Sequence, residues 1–154
     1  MNAKRNQLAY QEAAVRNASA IDLVVMLYDI LASDLYGAIE AIEAGNVELR
    51  SAKVKHGFLV LQQLEGTLNM EEGGELATNM SRFYSMLRSQ MITAQIQQDA
   101  AVLQEVIQLL FTVREAWVEL SNRLTGSSEP ASMQASSPVP TSDPEQTQTA
   151  SWKA

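Results

Sequence analysis

Cysteine is absent from this chain of 154 residues, proline is absent before position 130, and histidine occurs once. The first absence excludes a disulfide framework, thiol catalysis and thiolate metal sites, and fits a reducing compartment, with the cytoplasm as the default. The second leaves residues 1–124 without a helix breaker, as a nearly all-helical domain requires. One histidine cannot build a two-histidine metal site, and no Glu-x-x-His pair is present for a carboxylate di-metal bundle. Gly-rich phosphate loops and nucleophile elbows are also missing, so the chain does not read as an enzyme and no cofactor or metal is expected. No apolar run approaches 18 residues, the length that a membrane span needs, and the N-terminus has no signal-like apolar region. Membrane insertion is therefore not expected. A net charge of −7 repels phosphate backbones, and Arg50, Lys53 and Lys55 are too few to reverse it, so no nucleic-acid partner is expected.

What the chain has is helical periodicity. In residues 19–45, Ile21, Val24, Val25, Tyr28, Leu31, Leu35, Ala38, Ile39 and Ile42 recur at helical spacing, with Ser19 as a candidate N-cap and Gly45 as the stop. Leu23, Met26, Leu27 and Ile30 add a second apolar patch, so this helix needs burial on two sides. Residues 47–68 form a second stripe (Val54, Phe58, Leu61, Leu64, Leu68), a third follows from Leu76 to Ala94, and a heptad seam runs from Leu103 to Leu124. Gly57 and Gly66 inside the second helix point to close helix packing. Short breaks between the four segments predict an all-α, antiparallel up-down four-helix bundle over residues 19–124. Residues 1–18 read as an additional short N-terminal helix or arm that could lie on the second patch. Residues 125–154, rich in Ser, Pro, Thr and Gln, read as a disordered C-terminal tail in which Trp152 lacks a second anchor.

Apolar surface exceeds what a bundle seam uses. Ile107, Phe111 and Val118 line one flank of the last helix, Ile92 and Ile96 a flank of the third, and Leu59 stands away from Phe58 and Leu61 on the second. Surface of this kind implies a partner, and seven methionines able to repack suit an amphipathic helical one. Two other readings are open: a histidine phosphotransfer domain using His56, although Leu59 and Val60 stand where lysine and glycine are wanted, and a structural, self-assembling bundle.

Several strings carry a family resemblance. Tyr10, Val15, Ala18, Ser19 and Leu23, then Met26-Leu27-Tyr28-Asp29, LNMEEGGELATN at 68–79, Tyr84, Met86 and Arg114-Glu-Ala-Trp117 follow in order over residues 8–120. Together they resemble the flagellin-specific export chaperones, FliS. Ala20 departs from the proline usual after the capping residue, and Gln95 from a common asparagine. The resemblance implies a cytoplasmic bundle that binds the disordered C-terminal segment of flagellin, prevents its premature polymerisation and delivers it to the cytoplasmic domain of the flagellar type III export gate. It also implies contacts with other flagellar regulators, a monomer or weak homodimer, and a lid role for the arm around Tyr10. Joined to the unused apolar surface, it gives Tyr10, Leu23, Leu27, Ile30, Leu59, Ile92, Ile96, Ile107, Phe111 and Val118 as expected client-binding residues.

Overall fold

The computed structural model describes residues 2–126, in four α-helices: α1 Asn2–Ala44, α2 Val47–Gly66, α3 Gly74–Gln97 and α4 Ala100–Gly126. Of the tail expected over residues 125–154, Thr125 and Gly126 belong to α4, and residues 127–154 lie outside the described residues. Helices adjacent in sequence pack together, and α4 returns to α1, closing an up-down ring in which α1 packs most extensively, against α4 and α2. The expected burial of α1 on two sides is met by these two neighbours.

Local chemistry sets the corners. Gly45 ends α1 at φ +69°, a conformation that a side chain would strain. Asn46 then caps α2, its side chain accepting from the Leu49 N–H at 3.0 Å. Asn69 Oδ1 takes the N–H groups of Glu71 and Glu72 in the next corner, and Asp99 Oδ1 takes that of Ala101 at the start of α4.

The N-terminal boundary differs from the expectation. Ser19 and Asp22 do not start a helix, because α1 runs unbroken from Asn2. No glycine or proline stands between Asn2 and Tyr36 to interrupt it, and a cap signal of about 1 kcal/mol does not force a break. Asp22 instead accepts a hydrogen bond from the Ser121 hydroxyl on α4 at 2.9 Å. Residues 3–13, 16, 17, 19 and 20 are exposed, so the arm extends α1 and does not fold back onto it.

The core follows the stripes. Leu31, Leu35 and Ala38 of α1 meet Val54, Leu61 and Leu64 of α2, Leu87 and Met91 of α3, and Leu103, Val106 and Leu110 of α4. Tyr84 of α3 is fully buried, whereas Leu76 and Leu120 are exposed. The seam of α4 therefore loosens toward its C-terminal end.

Gly57 is where three helices approach. A Cβ there would stand 3.1 Å from Met91 Cε and 3.3 Å from Leu31 Cδ1, whereas one at Gly66 would meet nothing within 4 Å. Close packing thus explains the first glycine and not the second, which sits at the end of α2. Gly57→Leu should cost about 1–3 kcal/mol through overpacking, while Gly66→Ala should be neutral or stabilise by up to about 1 kcal/mol. Urea unfolding followed by circular dichroism measures both, and equal effects would contradict this packing.

Candidate functional site

Three places on the bundle carry apolar surface that involves the expected residues. The first is a cavity of about 410 Å³ at the end of the bundle where α1 enters it. Leu23 and Val24 of α1, Leu68 after α2, Leu76, Met80 and Tyr84 of α3, and Trp117 of α4 line it. Its inner wall belongs to a buried polar chain. Trp117 Nε1 donates to the Tyr28 hydroxyl at 3.2 Å, and the Tyr28 and Tyr84 hydroxyls lie 3.0 Å apart with their rings edge to face. Burial pushes both phenols above their ordinary pKa near 10, so they stay protonated and the chain persists across ordinary pH.

The second is the α1–α4 seam. Asp29 takes two hydrogen bonds from Arg114, at 2.6 and 3.1 Å, and the guanidinium pKa is raised by this pairing. Asp22 and Ser121 meet two turns away, so the helices keep antiparallel register. The exposed pair adds at most about 1 kcal/mol of stability, but it divides the seam. On one side Val25, Met26 and Val118 line a cavity of about 300 Å³; on the other, Tyr36 and Ile107 line one of about 210 Å³. Phe111, one turn from Ile107, is 39% exposed.

The third is the α2–α3 side, opposite α1–α4 in the ring. Arg88 of α3 donates to both Glu65 carboxylate oxygens of α2 at 3.0 Å and lies over the Phe58 ring. Ile92 and Ile96 continue along the Arg88 flank and are exposed, and Leu59 is exposed on the outer face of α2.

The expected residues therefore separate. Tyr10, Leu23, Leu59, Ile92, Ile96 and Phe111 are exposed, and Val118 is half-buried. Leu27, at 6% exposure, and Ile107, at 3%, are core residues, and Ile30 packs against that core. The assignment of Leu27 and Ile107 to an open surface is corrected; Ile30 is half-buried. Leu23, Leu27 and Ile30 share the α1 flank that carries Asp34, which His56 of α2 engages at 2.6 Å, so α2 covers most of this patch. Leu23, near the end of α2, is exposed, and Ile30 keeps a partly open side. Ile107 lies under α1 beside Tyr36. Periodicity identified the faces, but not which neighbour covers them. The end cavity was missed because four separate segments build it, although Tyr84 and Trp117 were both noted in sequence.

His56 is exposed as a surface histidine should be, but its Nδ1 is tied to the nearly buried Asp34 carboxylate. Among the described residues no three His, Cys, Asp or Glu side chains stand together as metal ligands, and no helix is long and apolar enough to cross a membrane.

Comparison with known proteins agrees with the motif strings. The sequence model of a family described as flagellar protein FliS matches residues 1–124. The flagellar secretion chaperone FliS of Salmonella typhimurium is 33% identical over 111 residues, covering 71% of this chain and 82% of that relative. The protein of the same name from Bacillus subtilis is 29% identical over 109 residues, covering 71% and 80%. That from Campylobacter jejuni is 30% identical over 125 residues, covering 79% and 97%.

The polar contacts give two ranked outcomes. Tyr28→Phe orphans both neighbours and should cost about 1–3 kcal/mol, more than Tyr84→Phe, which leaves Trp117 its acceptor. His56→Ala leaves a buried carboxylate unpaired and should also cost about 1–3 kcal/mol. Denaturant midpoints test the order; a Tyr84→Phe loss exceeding that of Tyr28→Phe would contradict it.

Proposed function

Because this chain belongs to the FliS family of flagellar secretion chaperones, we propose that its client is the C-terminal segment of flagellin. It binds that segment in the cytoplasm, prevents premature polymerisation and delivers it to the cytoplasmic domain of the flagellar export gate. The observation that supports this most is the placement of apolar surface on opposite sides of the bundle. Phe111 and Val118 stand on the α1–α4 side, while Ile92 and Ile96 stand on the α2–α3 side. A straight helix covers one side only, so a client that uses both must wrap, as a long unfolded segment can.

Family membership favours this over phosphotransfer through His56 and over a purely structural bundle. Client anchors are the expected residues that remain open: Leu23, Leu59, Ile92, Ile96, Phe111 and Val118. Tyr10, on the exposed extension of α1, is a further contact.

Mixing the purified chain with flagellin from the same cell should give a stable complex on size exclusion. No complex at tens of micromolar would overturn the proposal. Phe111→Ser should weaken binding by about 2 kcal/mol or more while changing folding by less than about 1 kcal/mol. Ile107→Ser, in the core, should damage folding first, by about 2–5 kcal/mol. Titration calorimetry and urea unfolding separate the two. Phe111→Ser unfolding the chain with affinity per folded molecule unchanged would remove Phe111 from the interface.

A further inference from the structure

The part of α1 that precedes the bundle is exposed along residues 3–13, 16, 17, 19 and 20, and α1 is continuous from Asn2. From Asn2 to Ile21 it reaches about 30 Å at about 1.5 Å per residue. A helix this long gains little from its own hydrogen bonds and is ordinarily held by packing of one face. Sequence spacing identifies the face on offer. Lys4, Leu8 and Gln11, then residues 15 and 18, then Asp22, Val25 and Asp29 follow one another in alternating steps of four and three, the spacing of a two-helix seam. The series begins on the exposed extension and ends in the trough of about 300 Å³ between α1 and α4. Asp22, Val25, Met26 and Asp29 form the α1 side of that trough, and Val118 lies on the α4 side.

Two properties make this series complementary to itself. It reads the same in both directions about a point between residues 16 and 17. A second copy running antiparallel across that point sets Lys4 opposite the partner's Asp29, Leu8 opposite the partner's Val25, Gln11 opposite the partner's Asp22, and residue 15 opposite residue 18. Charge matches as well. The extension carries Lys4, Arg5 and Arg16 against Glu12 alone, while both trough aspartates are exposed and Arg114 pairs with one of them, Asp29. Leu8, 60% exposed, arrives at the level of Val25, where the trough is apolar. Gln11 brings an amide N–H toward the Asp22 oxygen that Ser121 does not use. A parallel pairing would instead set each of these charges against its own copy, which is repulsive.

We propose that two copies of this chain pair antiparallel through the N-terminal halves of α1, each extension lying in the other's α1–α4 trough. The same surface serves both copies, so the symmetry is closed and association stops at a dimer. Polar layers at Lys4 and Gln11 alternate with the apolar layer at Leu8, which sets register and orientation at the expense of strength. One helix pair is also a small interface, so the dimer is weak and exchanges with monomer. The pairing does not rest on the client reading.

Sedimentation equilibrium of the purified full chain should show monomer and dimer in exchange. Leu8→Asp sets a carboxylate against the partner's Val25, between two aspartates, and should raise the dissociation constant about tenfold or more with circular dichroism unchanged. Because the chain has no cysteine, introduced thiols report the register. Leu8→Cys mixed with Val25→Cys should give a mixed disulfide dimer on mild oxidation. Each variant alone should give little, because its own two thiols stand about 26 Å apart in this pairing. A chain that stays monomeric up to about 1 mM overturns the proposal, as does a dimer indifferent to Leu8→Asp. Leu8→Cys alone cross-linking as readily as the mixture also overturns it, since the helices would then be parallel or out of register.

Discussion

The Tyr28 hydroxyl joins helices that otherwise keep their backbones apart. Among the described residues the close helix approaches run around the ring, and α1 and α3 face each other across it. Tyr28 and Tyr84 span that gap, and Trp117 brings in α4. Buried phenols must find partners or lose the free energy of their solvation. Satisfying these two fixes how far apart the helices stand at the end where α1 enters. Large aromatic side chains hold the helices apart there, and the end cavity lies against them.

The same packing accounts for the distribution of outer surface. The interior is filled by aliphatic side chains and Met91 around Gly57, where three helices come close. That region has no spare apolar area. Toward the Trp117 end the seam loosens, Leu76 and Leu120 reach solvent, and Ser121 takes a place in the interior. Stability is concentrated near Gly57 and surface available to a partner near Tyr84 and along the two opposite seams. Such a division lets a client dock without opening the core.

Much of this was legible in the sequence because helices announce their buried faces and their ends. Gly45 acts as the stop that its position suggested. The strings that carry the family resemblance also have a physical basis. Tyr28 and Asp29 of one string contact Trp117 and Arg114 of another, and Tyr84 closes the set. Residues distant in sequence that carry the resemblance thus touch in the fold. What could not be read was which neighbour covers each face. Leu27 and Ile107 look like surplus along their own helices and become core only when α2 and α1 are laid over them. The start of α1 was misplaced for a related reason, since Ser19 and Asp22 have the chemistry of a cap and the chain has nothing there that stops a helix.

The central claim is that flagellin's C-terminal segment binds this bundle on opposite sides without entering its core. Hydrogen exchange of the full chain, with and without a peptide of that segment, tests it directly. Protection should rise along α4 around Phe111 and Val118 and along α3 around Ile92 and Ile96, while the already protected amides near Leu31 and Leu61 stay unchanged. Protection confined to one side, or increased exchange in the core on binding, would contradict it.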